Sequence, residues 1–206
     1  MRVLLTTAAL GAALATLVSA QRPAADRPDS IDRNFVANGR IRMDLSAGDY
    51  RISGGADNHI RMEWRTRDSD QLARVKARAD VRGTEADITT DAPRNSSFHV
   101  TIQVPVRSDL DVRLTAGDLR VERVQGNKDV NVHAGDVNID VGNPADYRRV
   151  EASIWAGDLR AQPFGLSKDG LFRSIEWNGK GPYRLSVHLK AGDLRLYQAS
   201  PQAEKQ

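Results

Sequence analysis

Five aspartates in this chain share one sequence context and could act together as ligands. Each follows Ala-Gly and precedes an apolar residue, and the five are Asp49, Asp118, Asp136, Asp158 and Asp193. If the segments stack as β-strands about 4.8 Å apart, their carboxylates form a row along one edge. Such a row could bind calcium, but calcium prefers six to eight oxygen ligands and each copy supplies one carboxylate.

The Gly-Asp pair in each copy is also typical of a corner in the backbone. Glycine adopts positive φ without steric cost, and an aspartate carboxylate can accept hydrogen bonds from the backbone of its own loop. We therefore predict no metal site and no cofactor. The predicted structural corners are Gly48, Asp49, Gly117, Asp118, Gly135, Asp136, Gly157, Asp158, Gly192 and Asp193.

Arginine follows the aspartate by two residues in four of the five copies, and these side chains should point outward. They are Arg51, Arg120, Arg160 and Arg195. One interpretation is a cationic strip for anionic glycans of the cell envelope. The other is a solvated face on which arginines offset nearby aspartates, since surface ion pairs are common and weak.

Trp155 is a further candidate for surface binding. It stands between Ile154 and Ala156, which are predicted to face inward, so its own side chain should face outward. There it could stack on a sugar or pack beneath the insert at 162–182.

Enzyme motifs are absent from the sequence. It contains neither HExxH, nor G-x-S-x-G, nor a glycine-rich phosphate loop. The 27 acidic residues include no pair that the sequence singles out for glycoside cleavage. We expect a protein without catalytic residues, and a polysaccharide-cleaving enzyme on a β-helix scaffold stays an alternative by analogy of fold.

Apolar residues alternate on both sides of every Gly-Asp, which predicts an all-β protein. Leu110, Val112 and Leu114 precede Gly117, and the other copies follow the same period of two. The corners could be arcs of a right-handed β-solenoid, a β-helix-like stack of short strands. They could also be two-residue turns in an antiparallel β-sandwich of hairpins. The glycines at 117, 135 and 157 are separated by about 20 residues, a plausible length for one coil of a solenoid, so this spacing favours the solenoid with one coil per copy.

Other segments of the chain predict additional strands. Between the first two copies lie four candidates, NHIRMEWRT, KARADVRG, EADITTD and FHVTIQVPV, and only SDQLARVKARA has a weak helical spacing. The segment FGLSKDGLFRSIEWNGKGPYR, between the last two copies, predicts an extra coil or a hairpin.

The two ends of the chain do not show this strand pattern. Residues 1–20 combine a basic start, an apolar run and the small residues VSA, which predicts a secretory signal peptide cleaved after Ala20. The apolar run is shorter than the ~20 residues of a spanning helix, which argues against a membrane anchor. We expect a flexible linker at 21–34, the folded domain at 35–198 and a disordered tail at 199–206. The exported chain would have no membrane span.

The composition limits the classes of partner. The 206 residues carry a net charge of +3, with 30 basic and 27 acidic residues interspersed and no cysteine. No concentrated basic stripe is visible, so we do not predict nucleic-acid binding. Without disulfides, stability must come from burial and backbone pairing.

Two segments resemble the bacterial DUF4097 family of adhesin-like domains. The first segment has the family's strand ending in Val-Pro and two Gly-Asp corners one coil apart, and it reads FHVTIQVPVRSDLDVRLTAGDLRVERVQGNKDVNVHAGDVNIDV. The second resembles the last strands of such domains, and it reads GKGPYRLSVHLKAGDLRLY. The resemblance spans about residues 35–197 and implies an exported, non-catalytic β-solenoid at the cell envelope, periplasmic or on the cell surface. Its partner would be an envelope glycan or another envelope protein. An envelope-stress accessory that binds another protein is a further alternative.

Overall fold

The computed structural model describes residues 29–55, 58–93 and 97–199. The predicted signal peptide, most of the linker and nearly all of the tail lie outside these ranges. One short helix, α1, spans Ser69–Leu72, within the weak helical pattern, and 3-10 turns lie at Pro144–Asp146 and Gln162–Phe164. The strands are β1 (Ser30–Asn34), β2 (Gly39–Leu45), β3 (Asp49–Gly55), β4 (His59–Arg65), β5 (Lys76–Arg82), β6 (Glu85–Asp91), β7 (His99–Pro105), β8 (Ser108–Leu114), β9 (Leu119–Glu122), β10 (Lys128–Ala134), β11 (Val137–Asp140), β12 (Tyr147–Ala161), β13 (Leu166–Asn178), β14 (Tyr183–Ala191) and β15 (Leu194–Tyr197).

The all-β prediction is confirmed, and the strands on either side of each Gly-Asp corner belong to two different ladders. In the first ladder β2, β8, β10, β14 and the first half of β12 pair in parallel, in that order. In the second ladder β3, β9, β11, β15 and the second half of β12 do the same. The corners are therefore arcs that carry the chain from one ladder to the other. The hairpin interpretation of these corners is wrong.

Each strand–corner–strand unit is one coil of the stack, and the coils do not stack in sequence order. In space their corner glycines run Gly48, Gly117, Gly135, Gly192 and Gly157, since the coil of β14 and β15 lies between that of β10 and β11 and that of β12. The insert at 162–182 makes this order of coils possible. Because β13 runs antiparallel to β12 along its length, it returns the chain to the start of β12, from which β14 runs parallel to β12 on the other side. Of the two predictions for this insert, the hairpin is confirmed.

Additional strands extend both ladders at the end of the stack opposite β12. Beyond β2 lie β6 and β5, and beyond β3 lie β7, β4 and β1, so that the sheet forms a nearly closed, barrel-like wall. The four strands predicted between the first two copies are present as β4 to β7. The sheet begins with β1 at Ser30–Asn34, whereas the sequence pattern placed residues 21–34 in a linker and the start of the domain at Phe35.

The core is made of apolar rows that cross the ladders in register. One row places Met43, Val112, Val130, Val187 and Ala152 side by side, and each is at most 2% exposed. Burying one such aliphatic side chain contributes about 1.5–3 kcal/mol. The alanines of the corners lie at the rim of this core and are partly or fully exposed, whereas the sequence pattern placed them inward. None of the helices in the described ranges has the length and apolar character needed to span a membrane.

Candidate functional site

The Gly-Asp corners form one edge of the stack, here called the corner edge, where adjacent coils touch backbone to backbone. Gly117 N donates to Ala134 O at 2.8 Å, and the same contact recurs from coil to coil. The glycines at 117, 135, 157 and 192 have φ between 113° and 130°, and a Cβ at Gly135 would overlap the carbonyl oxygen of Gly117. Gly48 differs, since its φ is not in the left-handed region. These glycines permit close stacking as well as a turn.

The aspartate carboxylates of the corner edge bind the neighbouring coil. Four of the five aspartates donate their backbone N–H to Oδ1 of the aspartate in the adjacent coil, over 3.0–3.5 Å, and this links Asp49, Asp118, Asp136, Asp193 and Asp158 in spatial order. The N–H of Asp49, at the end of the row, donates to the Phe98 carbonyl instead. The sequence predicts that these carboxylates accept hydrogen bonds within their own loops. The acceptor role was predicted, but the partner was wrong, since the donor belongs to the neighbouring coil.

The two ends of this aspartate row have different partners. Asp49 at one end contacts His99, with Oδ2 and Nδ1 3.0 Å apart, and Asp158 at the other end pairs with Arg160 at 3.2 Å. Within the described ranges, no three His, Cys, Asp or Glu side chains are grouped so that they could share a metal ion. In the described structure the aspartate row connects adjacent coils through hydrogen bonds from backbone N–H groups to carboxylates.

The four predicted arginines lie together on the outer face of the second ladder, where we call them the arginine row. Their spatial order is Arg51, Arg120, Asn138, Arg195 and Arg160, with the asparagine taking the arginine position of one coil. Arg51 and Arg120 lie 3.3 and 3.9 Å from Glu122, and Arg160 pairs with Asp158. The arginines therefore pair partly with Glu122 of strand β9 and not only with the corner aspartates.

A cavity of about 620 Å³ adjoins the first part of the arginine row. Its charged lining is mixed, with Arg51, Arg65 and Arg120 beside Asp49, Glu63, Asp118 and others. The cationic side chains therefore face acidic ones across the same cavity. This arrangement agrees with the interpretation of the arginine row as a solvated face.

Trp155 lies on the other side of the stack, on the outer face of the first ladder. Its side chain faces outward and is 54% exposed. Its ring centroid is 5.9 Å from that of Phe172 in β13, which is itself 73% exposed. The insert thus contacts Trp155 through one aromatic ring but does not cover it. The structure separates Trp155 from the arginine row, with which the sequence analysis grouped it as a surface-binding candidate.

A cavity of about 610 Å³, here called the Trp155 cavity, surrounds this aromatic pair. His188 Nδ1 lies 2.6 Å from Ser153 Oγ, and its Nε2 lies 3.3 Å from Ser186 Oγ. The described residues lining the cavity include no Asp or Glu. The polar ones among them are Arg113, Asn131, His133, Ser153, Arg173, Ser174, His188 and Lys190.

Sequence reasoning did not single out Phe172, Lys190 or Ser153 as functional candidates. A usable signal was present for Lys190, because it occupies the position before Ala-Gly-Asp that Trp155 occupies in its own copy. No comparable signal identified Phe172, since its place beside Trp155 follows from the antiparallel return of β13.

Lys128 is a second feature that the sequence analysis missed. It occupies an inward position of β10, in phase with Val130, and is 2% exposed. Its Nζ donates to Tyr147 Oη at 2.9 Å and to the Gly126 carbonyl at 3.3 Å. Burial lowers the pKa of Lys128 to about 8, although Asp140, Asp109 and Asp146 act in the opposite direction. Burial also raises the pKa of the Tyr147 phenol.

Comparison with known proteins finds similarity in structure alone. The chain matches no protein-family model and no curated protein sequence. A crystal structure of a "putative cell adhesion protein" from Clostridium sporogenes is similar, with a TM-score of 0.53, 12% identity and coverage of 84% of this chain and all of that one. A "putative adhesin" from Bacteroides fragilis matches with a TM-score of 0.26 and 9% identity over 82% of this chain and 96% of that one, a likeness too weak to support an argument. The DUF4097 resemblance stays a prediction, and the name of the Clostridium sporogenes protein fits its adhesin-like label.

Proposed function

We propose that this protein is a non-catalytic, exported β-solenoid domain that acts as a binding or structural module at the cell envelope. The observation that carries the proposal is the construction of the outer faces. In-register strands repeat outward-facing polar positions across five coils, so each ladder presents a ridged surface several strands wide. Surfaces of this kind suit an extended ligand or partner better than a small substrate.

The architecture supports the solenoid part of this proposal. One corner per coil and two parallel ladders are features of a β-solenoid, and we propose that the coils wind with a right hand. The structural likeness to the Clostridium sporogenes protein adds a fold-level analogy, since that protein is named for cell adhesion. The N-terminal signal-peptide pattern supports export to the periplasm or the cell surface, where an envelope glycan or another envelope protein would be the partner.

A polysaccharide-cleaving enzyme is the second candidate, and one observation favours it. Asp49, Glu63 and Asp118 line the cavity beside the arginine row, and a glycosidase uses two carboxylates that flank the glycosidic bond. A general acid for such chemistry is usually buried in apolar surroundings. The Asp49 side chain is instead half exposed and already paired with His99. We therefore favour the binding module over the enzyme.

Binding to isolated envelope fractions tests the proposal. Purified protein would be incubated with envelope polysaccharide, envelope membranes and the soluble cell fraction, and retention measured by sedimentation. The proposal predicts saturable retention on an envelope fraction and no release of reducing ends from the polysaccharide. Retention equal to that of an unrelated β-protein would refute the binding function. Release of reducing ends, lost in Glu63→Gln, would support the enzyme instead.

A further inference from the structure

Resting on the proposed binding function, we infer that the Trp155 cavity is a site for an acidic glycan, a polysaccharide segment that carries carboxylates on its sugar rings. This deepens the proposed function by assigning one face and one ligand class. It also separates the binding site from the arginine row, which lies on the opposite ladder.

The aromatic pair forms a small apolar surface. Its size suits a sugar ring, whereas a protein interface needs a much larger area. Trp155 and Phe172 present two exposed rings with centroids 5.9 Å apart and an interplanar angle of 49°. The neighbouring Leu171 is also exposed, and these three are the large exposed apolar side chains on this part of the surface among the described residues. A stable protein–protein interface buries about 800 Å² on each partner, far more than three side chains offer.

Polar side chains lie next to the rings at the spacing that strand geometry dictates. Lys190 of β14 is in register with Trp155 of β12, about 4.8 Å away between strands. Ser153 and His188 form the next outward row, about 7 Å further along the strands, and contact each other through a 2.6 Å hydrogen bond. A sugar stacked on Trp155 would therefore have hydroxyl and imidazole groups within reach of its own hydroxyls.

The charge of the cavity selects an anionic occupant. Its described lining contains Arg113, Arg173 and Lys190 with no Asp or Glu, in contrast to the mixed lining beside the arginine row. Lys190 has no ion pair with any described residue. The closest carboxylate to Arg113 is that of Asp111 at 3.9 Å, and Asp111 lies outside the lining. A bound carboxylate would thus meet cations with little competition.

A second copy of the chain is a poor occupant of the same site. The edge strand β13 could add a strand only through free backbone groups, but two of its carbonyls already accept hydrogen bonds from cationic side chains. Lys168 Nζ donates to Ser174 O at 2.7 Å, and Arg173 Nε donates to Asp169 O at 2.8 Å. Charged side chains on an edge strand oppose strand addition.

The inference is tested by titrating the purified protein with oligomers of galacturonate, alginate and hyaluronan, and with the methyl ester of the galacturonate oligomer as a neutral counterpart. Calorimetry gives the affinity for every variant, and intrinsic tryptophan fluorescence gives a second measurement for the proteins that keep Trp155. We expect binding to at least one acidic oligomer and a loss of about tenfold or more on esterification. We expect a similar loss in Trp155→Ala and in Lys190→Glu, as for central contacts of an interface.

Arg120→Glu is the matched control, since it reverses an exposed charge on the opposite face, and it should change the affinity by less than about twofold. Failure of all three acidic oligomers to bind would overturn the inference. So would unchanged affinity in Trp155→Ala, or equal affinity for the ester. If envelope retention persists in Trp155→Ala, the acidic-glycan site is wrong and the envelope-binding function stands. If the wild-type protein is not retained at all, the proposed function itself fails.

Discussion

The corner edge and the Trp155 cavity are built from adjacent positions of the same repeat, yet they differ in how their polar groups are used. At the corner edge the residue type is the same in every coil, and four of the five aspartate carboxylates accept a backbone hydrogen bond from the next coil. Three residues before each aspartate, at the end of the first ladder, each coil has a different residue. These are Ser46, Thr115, His133, Lys190 and Trp155.

The contrast indicates that repetition serves the stacking of coils, whereas the varied position leaves some side chains available for a ligand. Ser46 and Thr115 are not among them, since Ser46 Oγ lies 3.4 Å from Thr90 Oγ1 and Thr115 Oγ1 donates to Leu45 O at 3.2 Å. A carboxylate that already accepts a hydrogen bond from the adjacent coil has less capacity for a metal ion or a partner. Lys190 and Trp155 face solvent without such partners among the described residues. In this protein the most conspicuous motif in the sequence thus marks its scaffold, and the unique residues beside the motif mark the candidate site.

The largest effect should follow from a methyl group at the corner edge. Gly135→Ala requires φ of 128° and overlaps the carbonyl oxygen of Gly117 in the adjacent coil, so we expect a loss of about 3 kcal/mol or more in the free energy of unfolding. Gly142→Ala is the control. Its φ of 61° is also positive but its Cβ would meet open space, and it should cost only about 1 kcal/mol. Equal losses in urea unfolding would mean that close stacking does not require glycine.

A second effect concerns the end of the coil far from the corner, where Lys128 stands in register with Leu110 and Leu185 in an otherwise apolar row. Because the pKa of Lys128 is about 8 in the folded protein and about 10.4 unfolded, the unfolded chain holds the proton more tightly. The free energy of unfolding should therefore rise by about 2 kcal/mol between pH 8 and pH 10. Above pH 10 the raised pKa of Tyr147 opposes this trend. The rise should be absent in Lys128→Met, and an identical rise in that variant would contradict the assignment.

A smaller effect should separate the interior of the aspartate row from its end. Asp136 accepts the backbone N–H of Asp193 at 3.0 Å, so Asp136→Ala should lose about 1 kcal/mol of stability. Asp158 is the last member of the row, and its carboxylate pairs with Arg160 at the surface. Asp158→Ala should therefore cost less than about 0.5 kcal/mol. If Asp136→Ala instead stabilises the protein, repulsion between the carboxylates outweighs the hydrogen bonds.

The strands and the corners could be read from the sequence because they depend on local pattern. Alternating residues such as Leu110, Val112 and Leu114 define a strand with one buried face, and Gly-Asp defines where it bends. The reversed order of the last two coils could not be read, since it depends on which strand β14 pairs with. The partner of each corner carboxylate was mistaken because the donor lies in the neighbouring coil, which a local sequence pattern does not identify.

The candidate site was predictable only in part. Trp155 was found because its neighbours Ile154 and Ala156 set the alternation, which places it outward. Phe172, which completes the aromatic pair, comes from a strand whose register is set by pairing with β12. Lys128 was missed because an ammonium group is rare in a protein core unless other groups bind it, so a lysine two residues before Val130 gave no signal of burial.

The comparison between scaffold and site is tested most directly by measuring two quantities on two variants. The free energy of unfolding and the affinity for an acidic oligosaccharide that binds the wild-type protein would be determined for Asp136→Ala and Trp155→Ala. We predict that Asp136→Ala loses about 1 kcal/mol of stability and keeps its affinity. We predict that Trp155→Ala keeps its stability within about 0.5 kcal/mol and loses about tenfold or more in affinity. Loss of affinity in Asp136→Ala together with unchanged affinity in Trp155→Ala would show that the repeated aspartates, and not the aromatic cavity, hold the ligand.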